Sequence, residues 1–187
     1  ITPCNITLEK TPKIDTILIS HEHLDSFDVD ATNFISNKFN SKVIAHESIL
    51  NKITTPTHNK ITIDEFQTRK VNDISIKAYP AHHPSSFYPL SFVLENQKGK
   101  SVYFAGDTNI TRDHDTIRPN IAILPIGGVR TMDLISAIRV SKKMRPEHVI
   151  PMHYNTFEDI KKNPHELKYK LEKTSYNINA VILNPGK

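Results

Sequence analysis

The chain has a single cysteine, Cys4, and no tryptophan among its 187 residues. One cysteine excludes an intrachain disulfide and is typical of proteins that work in a reducing compartment. No apolar run approaches the length of a transmembrane helix, and the N-terminus has neither a basic start nor an apolar signal core. These absences predict a cytoplasmic globular protein that does not contact a membrane.

Blocks of like charge are also missing. Lysine and arginine number 24 against 20 acidic residues, which gives a net charge of +4, but the basic residues are scattered. This pattern argues against nucleic acid as a partner and supports only a weak preference for an anionic small-molecule substrate. The length and a hydrophobic content of 37% predict one domain over residues 1–187, and a homo-oligomer is compatible with them.

Apolar runs alternate with helix-like stretches along the chain, which is typical of an α/β fold or a layered mixed sheet. Strands are predicted over 13–20, 42–45, 61–63, 71–79, 90–95, 101–105, 121–124, 148–150 and 178–183. Helices are predicted over 29–38 after an Asp28 cap, over 46–52, after a Thr131 or Asp133 cap, and from Asn163-Pro164 onward. The core face of the first helix is predicted to carry Val29, Ala31, Phe34 and Ile35.

His21, His23 and Asp25 follow the first apolar run directly. Side chains on a strand repeat every two residues, so these three can project toward one point as the strand ends. Two imidazoles and a carboxylate that converge form a transition-metal site of the zinc type. Taken alone, a His-X-His stretch is more often a polar loop whose histidines are solvated.

Three further polar clusters come just after later strands. They contain the pair His82 and His83, then Asp107 behind Gly106, and then His153. Each has an ordinary alternative, such as a core histidine or a turn residue, but loops at the ends of rigid strands are where layered folds build their sites. Four such clusters in succession favour one composite metal site. The remaining histidines are assigned to the surface: His46, His58, His114, His148 and His165.

These clusters resemble the metallo-β-lactamase superfamily, most of all the branch that includes L-ascorbate-6-phosphate lactonase and N-acyl-phosphatidylethanolamine-hydrolysing phospholipase D. The resemblance runs from Ile14 onward. The matching blocks are His21-Glu22-His23-Leu24-Asp25, Pro80-Ala81-His82-His83, Phe104-Ala105-Gly106-Asp107-Thr108, Pro125-Ile126-Gly127-Gly128 with Thr131-Met132, and Pro151-Met152-His153-Tyr154-Asn155-Thr156-Phe157.

The resemblance implies a four-layer αββα sandwich and a divalent metal centre. It assigns a first metal to His21, His23 and His83, with His83 preferred over His82. It assigns a second metal to Asp25 and His153, with Asp107 as a ligand shared by both metals. One or two Zn²⁺ ions are expected, with Mn²⁺ or another divalent metal as the alternative.

The implied activity is hydrolysis of a small ester, lactone or phosphoester by a zinc-activated hydroxide. Asp25 and Asp107 are the expected catalytic acids, and Asp25 serves as general base if it is not a ligand. A non-enzymatic metal-binding relic is the first alternative. An RNA-cleaving nuclease of the same superfamily is less favoured, because the sequence shows no basic patch.

Two features depart from the family pattern. Ser26 stands where the family usually has a histidine, which predicts a weaker second metal site. The chain also starts where the family's first strands should already be complete, and Ile1-Thr2-Pro3 only loosely matches the usual Ile-Asp-Pro. The sequence therefore predicts that the first strands are lacking, that the chain begins inside a longer gene product, and that a sheet edge or an apolar sheet face is left uncovered.

Overall fold

Three short segments rich in β-branched residues form a parallel sheet in the order β1-β2-β3. The structure is a computed structural model, and it describes residues 11–184. The strands are β1 (Thr16–Leu18), β2 (Lys42–Ala45) and β3 (Lys60–Thr62). Parallel neighbours need crossover connections, which α1 (Val29–Phe39) and then α2 (Glu47–Leu50) with a 3-10 turn (Thr57–Asn59) supply.

The rest of the chain builds a mixed sheet of seven strands in the order β10-β9-β8-β7-β6-β5-β4. Its strands are β4 (Thr68–Val71), β5 (Ile74–Pro80), β6 (Leu90–Asn96), β7 (Ser101–Phe104), β8 (Ile121–Pro125), β9 (His148–Met152) and β10 (Asn179–Ala180). Pairing is antiparallel from β4 to β7 and parallel from β7 to β10. The parallel half is crossed by α3 (Leu134–Met144) and α4 (Pro164–Glu172).

Three apolar clusters hold the layers together. Alternation along β2 places Val43 and Ala45 against Ile49 of α2, while Ile44 between them packs with β5 and β6 of the larger sheet. The opposite face of the larger sheet packs on α3 and α4. The order of layers is helices, small sheet, large sheet, helices, so the predicted four-layer αββα fold is confirmed. Within residues 11–184, no helix combines the length and the apolar character needed to cross a membrane.

Two local predictions were wrong. The strand predicted over 71–79 begins only at Ile74, as β5, because Asn72 adopts a left-handed φ of 51° and starts a turn after the separate strand β4. The core face of α1 does not carry Phe34, which is exposed, but Thr32 and Ser36. The Thr32 hydroxyl donates to the backbone carbonyl of Asp28, and the Ser36 hydroxyl to that of Ser41. Because both are hydrogen-bonded, their burial costs little free energy.

Part of the large sheet has an apolar face with little cover among the described residues. Residues of β7, β8 and β9 that point away from α3 and α4 are only half-buried, namely Val102, Phe104, Ile121, Ile123 and Ile150. In the part of the chain that the structure describes, β1 is an edge strand of the small sheet. The prediction about the first strands depends on the chain before residue 11, which lies outside the described residues.

His114 is fully buried, so its assignment to the surface was wrong. The backbone N–H of Thr111 donates to its Nδ1 at 2.9 Å, and its Nε2 lies 2.9 Å from the hydroxyl of Tyr103. Burial lowers the pKa of His114, which keeps the ring neutral. The histidine therefore satisfies two polar groups inside the fold.

We expect His114→Ala to lower the free energy of unfolding by about 2–4 kcal/mol at pH 8, since it leaves those two groups without partners and opens a cavity. A lowered folded-state pKa means that the unfolded chain takes up the proton first as pH falls below about 6.5. The difference in free energy of unfolding between the unaltered protein and His114→Ala should shrink at pH 5.5. Urea titrations at both pH values measure it, with the exposed His58→Ala as control. Equal losses of stability in His114→Ala and His58→Ala would contradict the structural role of His114.

Candidate metal centre

Four loops meet at one edge of the two sheets. β5, β7 and β9 run in the same direction, so the residues that follow them share an edge: His83, Asp107 and His153. The loop after β1 of the small sheet carries His21, His23 and Asp25 to the same place. All six residues singled out in the sequence are brought together, in two groups of three.

The first group consists of three imidazoles. The ring centroids of His21 and His23 are 4.8 Å apart, those of His23 and His83 are 4.8 Å apart, and those of His21 and His83 are 5.1 Å apart. His21 and His83 are buried. His82 is exposed to solvent, so the choice of His83 agrees with the geometry.

Backbone carbonyls determine which nitrogen of two rings carries the proton. Nε2 of His23 donates to the carbonyl of Ser85 at 3.0 Å, and Nδ1 of His83 donates to the carbonyl of Arg130 at 3.2 Å. The other two nitrogens, Nδ1 of His23 and Nε2 of His83, then face each other with lone pairs at 3.0 Å. Two lone pairs repel each other at this distance unless a cation lies between them.

His21 supplies a third lone pair. Its Nδ1 lies 2.9 Å from the Ser20 hydroxyl, and its buried Nε2 has no hydrogen-bond partner among residues 11–184. Burial lowers the pKa of His21 to about 4, so the ring is neutral and Nε2 is free to bind a cation. Three imidazoles that converge in this way match the donor set of a divalent transition metal.

The second group is acidic. Nε2 of His153 lies 3.0 Å from Oδ2 of Asp107 and 3.8 Å from Oδ2 of Asp25. The hydrogen bond to Asp107 raises the pKa of His153. Burial opposes ionisation of Asp107, but the hydrogen bond from His153 and the neighbouring histidines outweigh it and lower the pKa of that carboxyl. Asp107 also lies 3.7 Å from Nε2 of His21, so it stands between the two groups.

Two glycines allow this close approach. Gly106 has a left-handed φ of 58°, and a Cβ there would lie 2.9 Å from Cβ of Ser20. Its missing side chain lets the end of β7 bring Asp107 next to His21. Gly127 packs against the His153 backbone, where a Cβ would lie 2.3 Å from the carbonyl oxygen. His153 itself has a left-handed φ of 52°, a strained conformation that is common at functional sites.

Glu22 supports the centre, and sequence reasoning missed it. Its carboxylate accepts hydrogen bonds from the Ser86 hydroxyl and from the backbone N–H of Phe87, both at 2.8 Å. These bonds lower the pKa of the Glu22 carboxyl despite its partial burial. Glu22 thereby ties the loop of His21 and His23 to the loop of His83. Nothing in the sequence signals this contact, since its partners lie 64 and 65 residues away.

Replacing Glu22 with alanine should release the loop over residues 84–88. We expect the Phe87 amide to exchange its hydrogen about tenfold faster, which corresponds to roughly 1.4 kcal/mol of lost local protection from charge-assisted bonds. Glu22→Gln keeps a hydrogen-bond acceptor, so its Phe87 amide should exchange at a rate between those of the unaltered protein and Glu22→Ala. Exchange followed by mass spectrometry measures the effect, with the exposed Glu172→Ala as control. Unchanged exchange in Glu22→Ala would show that the contact does not hold the loop.

Comparison with known proteins agrees with this geometry. Residues 1–154 match the family described as the β-lactamase superfamily domain. The chain is 34% identical to a UPF0173 metal-dependent hydrolase of Nanoarchaeum equitans, over 95% of this chain and 86% of that protein. It is 38% identical to another of Thermoplasma acidophilum, over 83% and 72%.

A solved structure shares the whole fold. It is that of Igni18, a metallo hydrolase from the hyperthermophilic archaeon Ignicoccus hospitalis, with a TM-score of 0.87 and 31% identity over 100% of this chain and 84% of that one. The finer resemblance to the L-ascorbate-6-phosphate lactonase branch stays a prediction. The match over most of the length, together with the fold, shows that the chain is a metal-dependent hydrolase and belongs to the UPF0173 family of the metallo-β-lactamase superfamily.

Proposed function

We propose that this hydrolase binds Zn²⁺ at the three converging imidazoles and cleaves a small ester, lactone or phosphoester with water. His21, His23 and His83 would hold the first metal, and Asp25 and His153 a second, with Asp107 shared. The observation that carries the proposal is the buried, unpartnered Nε2 of His21 beside the opposed lone pairs of His23 and His83. An imidazole-rich set favours Zn²⁺, and Mn²⁺ suits the carboxylate group better.

The metal would supply an acidified water and polarise the oxygen of the group under attack. The chain's own residues position that chemistry. Asp25 is the more exposed of the two carboxylates, and when it does not hold a metal its Oδ2 is available to accept a proton from the attacking water. The buried Asp107 stays ionised next to His153, which keeps negative charge between the two groups.

Neither alternative function, a non-enzymatic metal-binding relic or an RNA-cleaving nuclease, gains support. The relatives carry the name metal-dependent hydrolase, which argues against a non-enzymatic relic. An RNA-cleaving nuclease needs a basic surface at its site. The cleft that opens beside Asp25 has no lysine or arginine among the described residues that line it.

Removal of a proposed ligand tests the assignment. His83→Ala should weaken zinc binding by more than about 100-fold, since even residues that only orient a ligand contribute 10- to 100-fold. The matched control is His82→Ala, one residue away and exposed. Competition with a chromophoric chelator gives the dissociation constants, and hydrolysis of p-nitrophenyl acetate should follow zinc occupancy. Equal affinities in both variants would exclude His83 as a ligand.

Ser26 predicts unequal metal sites. Its side chain is exposed, and its backbone N–H donates to the carbonyl of His23. Asp28 does not replace the missing imidazole, because its carboxylate accepts the Ala31 N–H at 2.8 Å as the cap of α1. The second group therefore offers Asp25, His153 and the shared Asp107, and it should bind metal more weakly.

Metal analysis after dialysis should find about one zinc per chain in the unaltered protein and close to two in Ser26→His, because an added imidazole completes the weaker site. Ser26→Ala is the control for the loss of the hydroxyl and should retain about one zinc per chain. Two metals held equally by the unaltered protein, or no gain in Ser26→His, would refute the prediction.

A further inference from the structure

The loop between β8 and α3 carries a run of strained backbone next to the candidate metal centre. Gly128, Val129 and Arg130 have consecutive positive φ angles of 79°, 62° and 142°, and no other run of three occurs between residues 11 and 184. A positive φ is rare for a β-branched residue, and the φ of Arg130 lies outside the left-handed helical range. Because Val129 is 60% exposed, burial of its side chain does not offset the strain. Strain that persists in this way is common at functional sites.

The strained loop turns the carbonyl of Arg130 towards the metal centre. Nδ1 of His83 donates to this oxygen at 3.2 Å, and the side-chain amide of Asn109 donates to it at 3.1 Å. A carbonyl oxygen has two lone pairs, so it can accept both hydrogen bonds at once. The direction of the carbonyl therefore depends on its own loop and on Asn109.

Asn109, in the loop after β7, joins two other loops to its own. Its backbone N–H donates to the carbonyl of His82 at 2.8 Å, and its side-chain amide reaches the same oxygen at 3.3 Å. Since its side chain faces the carbonyls of His82 and Arg130, only the NH₂ end of the amide fits there. The neighbouring Thr108 holds the same two loops: its hydroxyl accepts the His82 N–H at 2.8 Å, and its carbonyl accepts the Met132 N–H at 2.8 Å.

The ring proton of His83 has an alternative position that would close the metal site. If the proton moved to Nε2, that nitrogen could donate to Nδ1 of His23 at 3.0 Å or to the Ser85 hydroxyl at 3.5 Å. A metal binds only a ring nitrogen that carries no proton, so this tautomer would compete with the ion. The hydrogen bond to the Arg130 carbonyl opposes it, because it holds the proton on Nδ1.

We propose that Asn109 is a positioning residue of the metal centre: its amide holds the Arg130 carbonyl on Nδ1 of His83 and so keeps Nε2 free for a metal. The inference rests on the proposed role of His83 as a ligand, and it adds a residue that does not touch the metal. The strained loop brings the carbonyl within reach of the ring, and the amide prevents the carbonyl from turning away. The donor set is thereby arranged before the ion binds.

The tautomer of His83 can be measured without any activity. Long-range proton–nitrogen correlation spectra of the metal-free protein, labelled with nitrogen-15 in histidine, show which ring nitrogen carries the proton, and His83→Ala identifies the signal. We expect Nδ1–H in the unaltered protein. Asn109→Leu has a similar size but no donor, so most of its His83 rings should carry the proton on Nε2.

Asn33→Leu is the matched control. Asn33 is half-buried like Asn109, and its side chain also joins two segments, since it accepts the backbone N–H of Thr54, 21 residues away. Asn33 lies on α1 and contacts none of the proposed ligands through this bond. The control variant should therefore keep Nδ1–H on His83.

Zinc affinity gives a second readout. Asn109→Leu should raise the zinc dissociation constant about tenfold, the lower end of the effect of residues that orient a ligand, and Asn33→Leu should leave it unchanged. Urea titrations establish that both variants fold and compare their losses of stability. Asn109→Ala adds no bulk and should give the same two changes if the leucine variant does not fold.

Several outcomes would overturn the inference. They are Nε2–H on His83 in the unaltered protein, Nδ1–H retained in Asn109→Leu, zinc affinity that Asn109→Leu does not change, and equal effects of Asn33→Leu and Asn109→Leu. In each case, loss of zinc binding in His83→Ala would leave the proposed function standing. If His83→Ala binds zinc as tightly as His82→Ala, the proposed ligand set itself fails, and the role of Asn109 fails with it.

Discussion

The centre of this protein depends on one electrostatic constraint: nitrogen lone pairs point at each other in a buried space. Nδ1 of His23 and Nε2 of His83 lie 3.0 Å apart, and the unpartnered Nε2 of His21 is beside them. Interiors rarely leave polar atoms unsatisfied, because each costs roughly 1–3 kcal/mol. The surrounding contacts preserve this unfavourable arrangement. Two backbone carbonyls set the tautomers of His23 and His83, and Glu22 fixes the loop that supplies one of them.

Much of the fold and of the metal centre could be predicted from the sequence, because the residues of the centre lie close in sequence to the strands that position them. His21, His23, Asp107 and His153 each follow an apolar strand within a few residues, so the strand pattern alone predicted where they lie. The alternation of strands and helices predicted an α/β fold or a layered mixed sheet, and the resemblance to the family supplied the four layers. The resemblance to a family then distinguished His83 from His82, a choice that periodicity does not make.

What could not be predicted depends on contacts between distant parts of the chain. His114 is buried because Tyr103 and Thr111 need a partner, and neither residue type signals that need. Thr32 and Ser36 face the core because backbone carbonyls happen to be within reach of their hydroxyls.

The six residues of the centre come from two different sheets. His21, His23 and Asp25 follow a strand of the small sheet, whereas His83, Asp107 and His153 follow strands of the large one. A metal held as we propose would therefore act as a cross-link between the two sheets, in addition to its part in the reaction. Since a ligand that binds only the folded state stabilises it by mass action, the persistence of the fold would rise and fall with the supply of the metal.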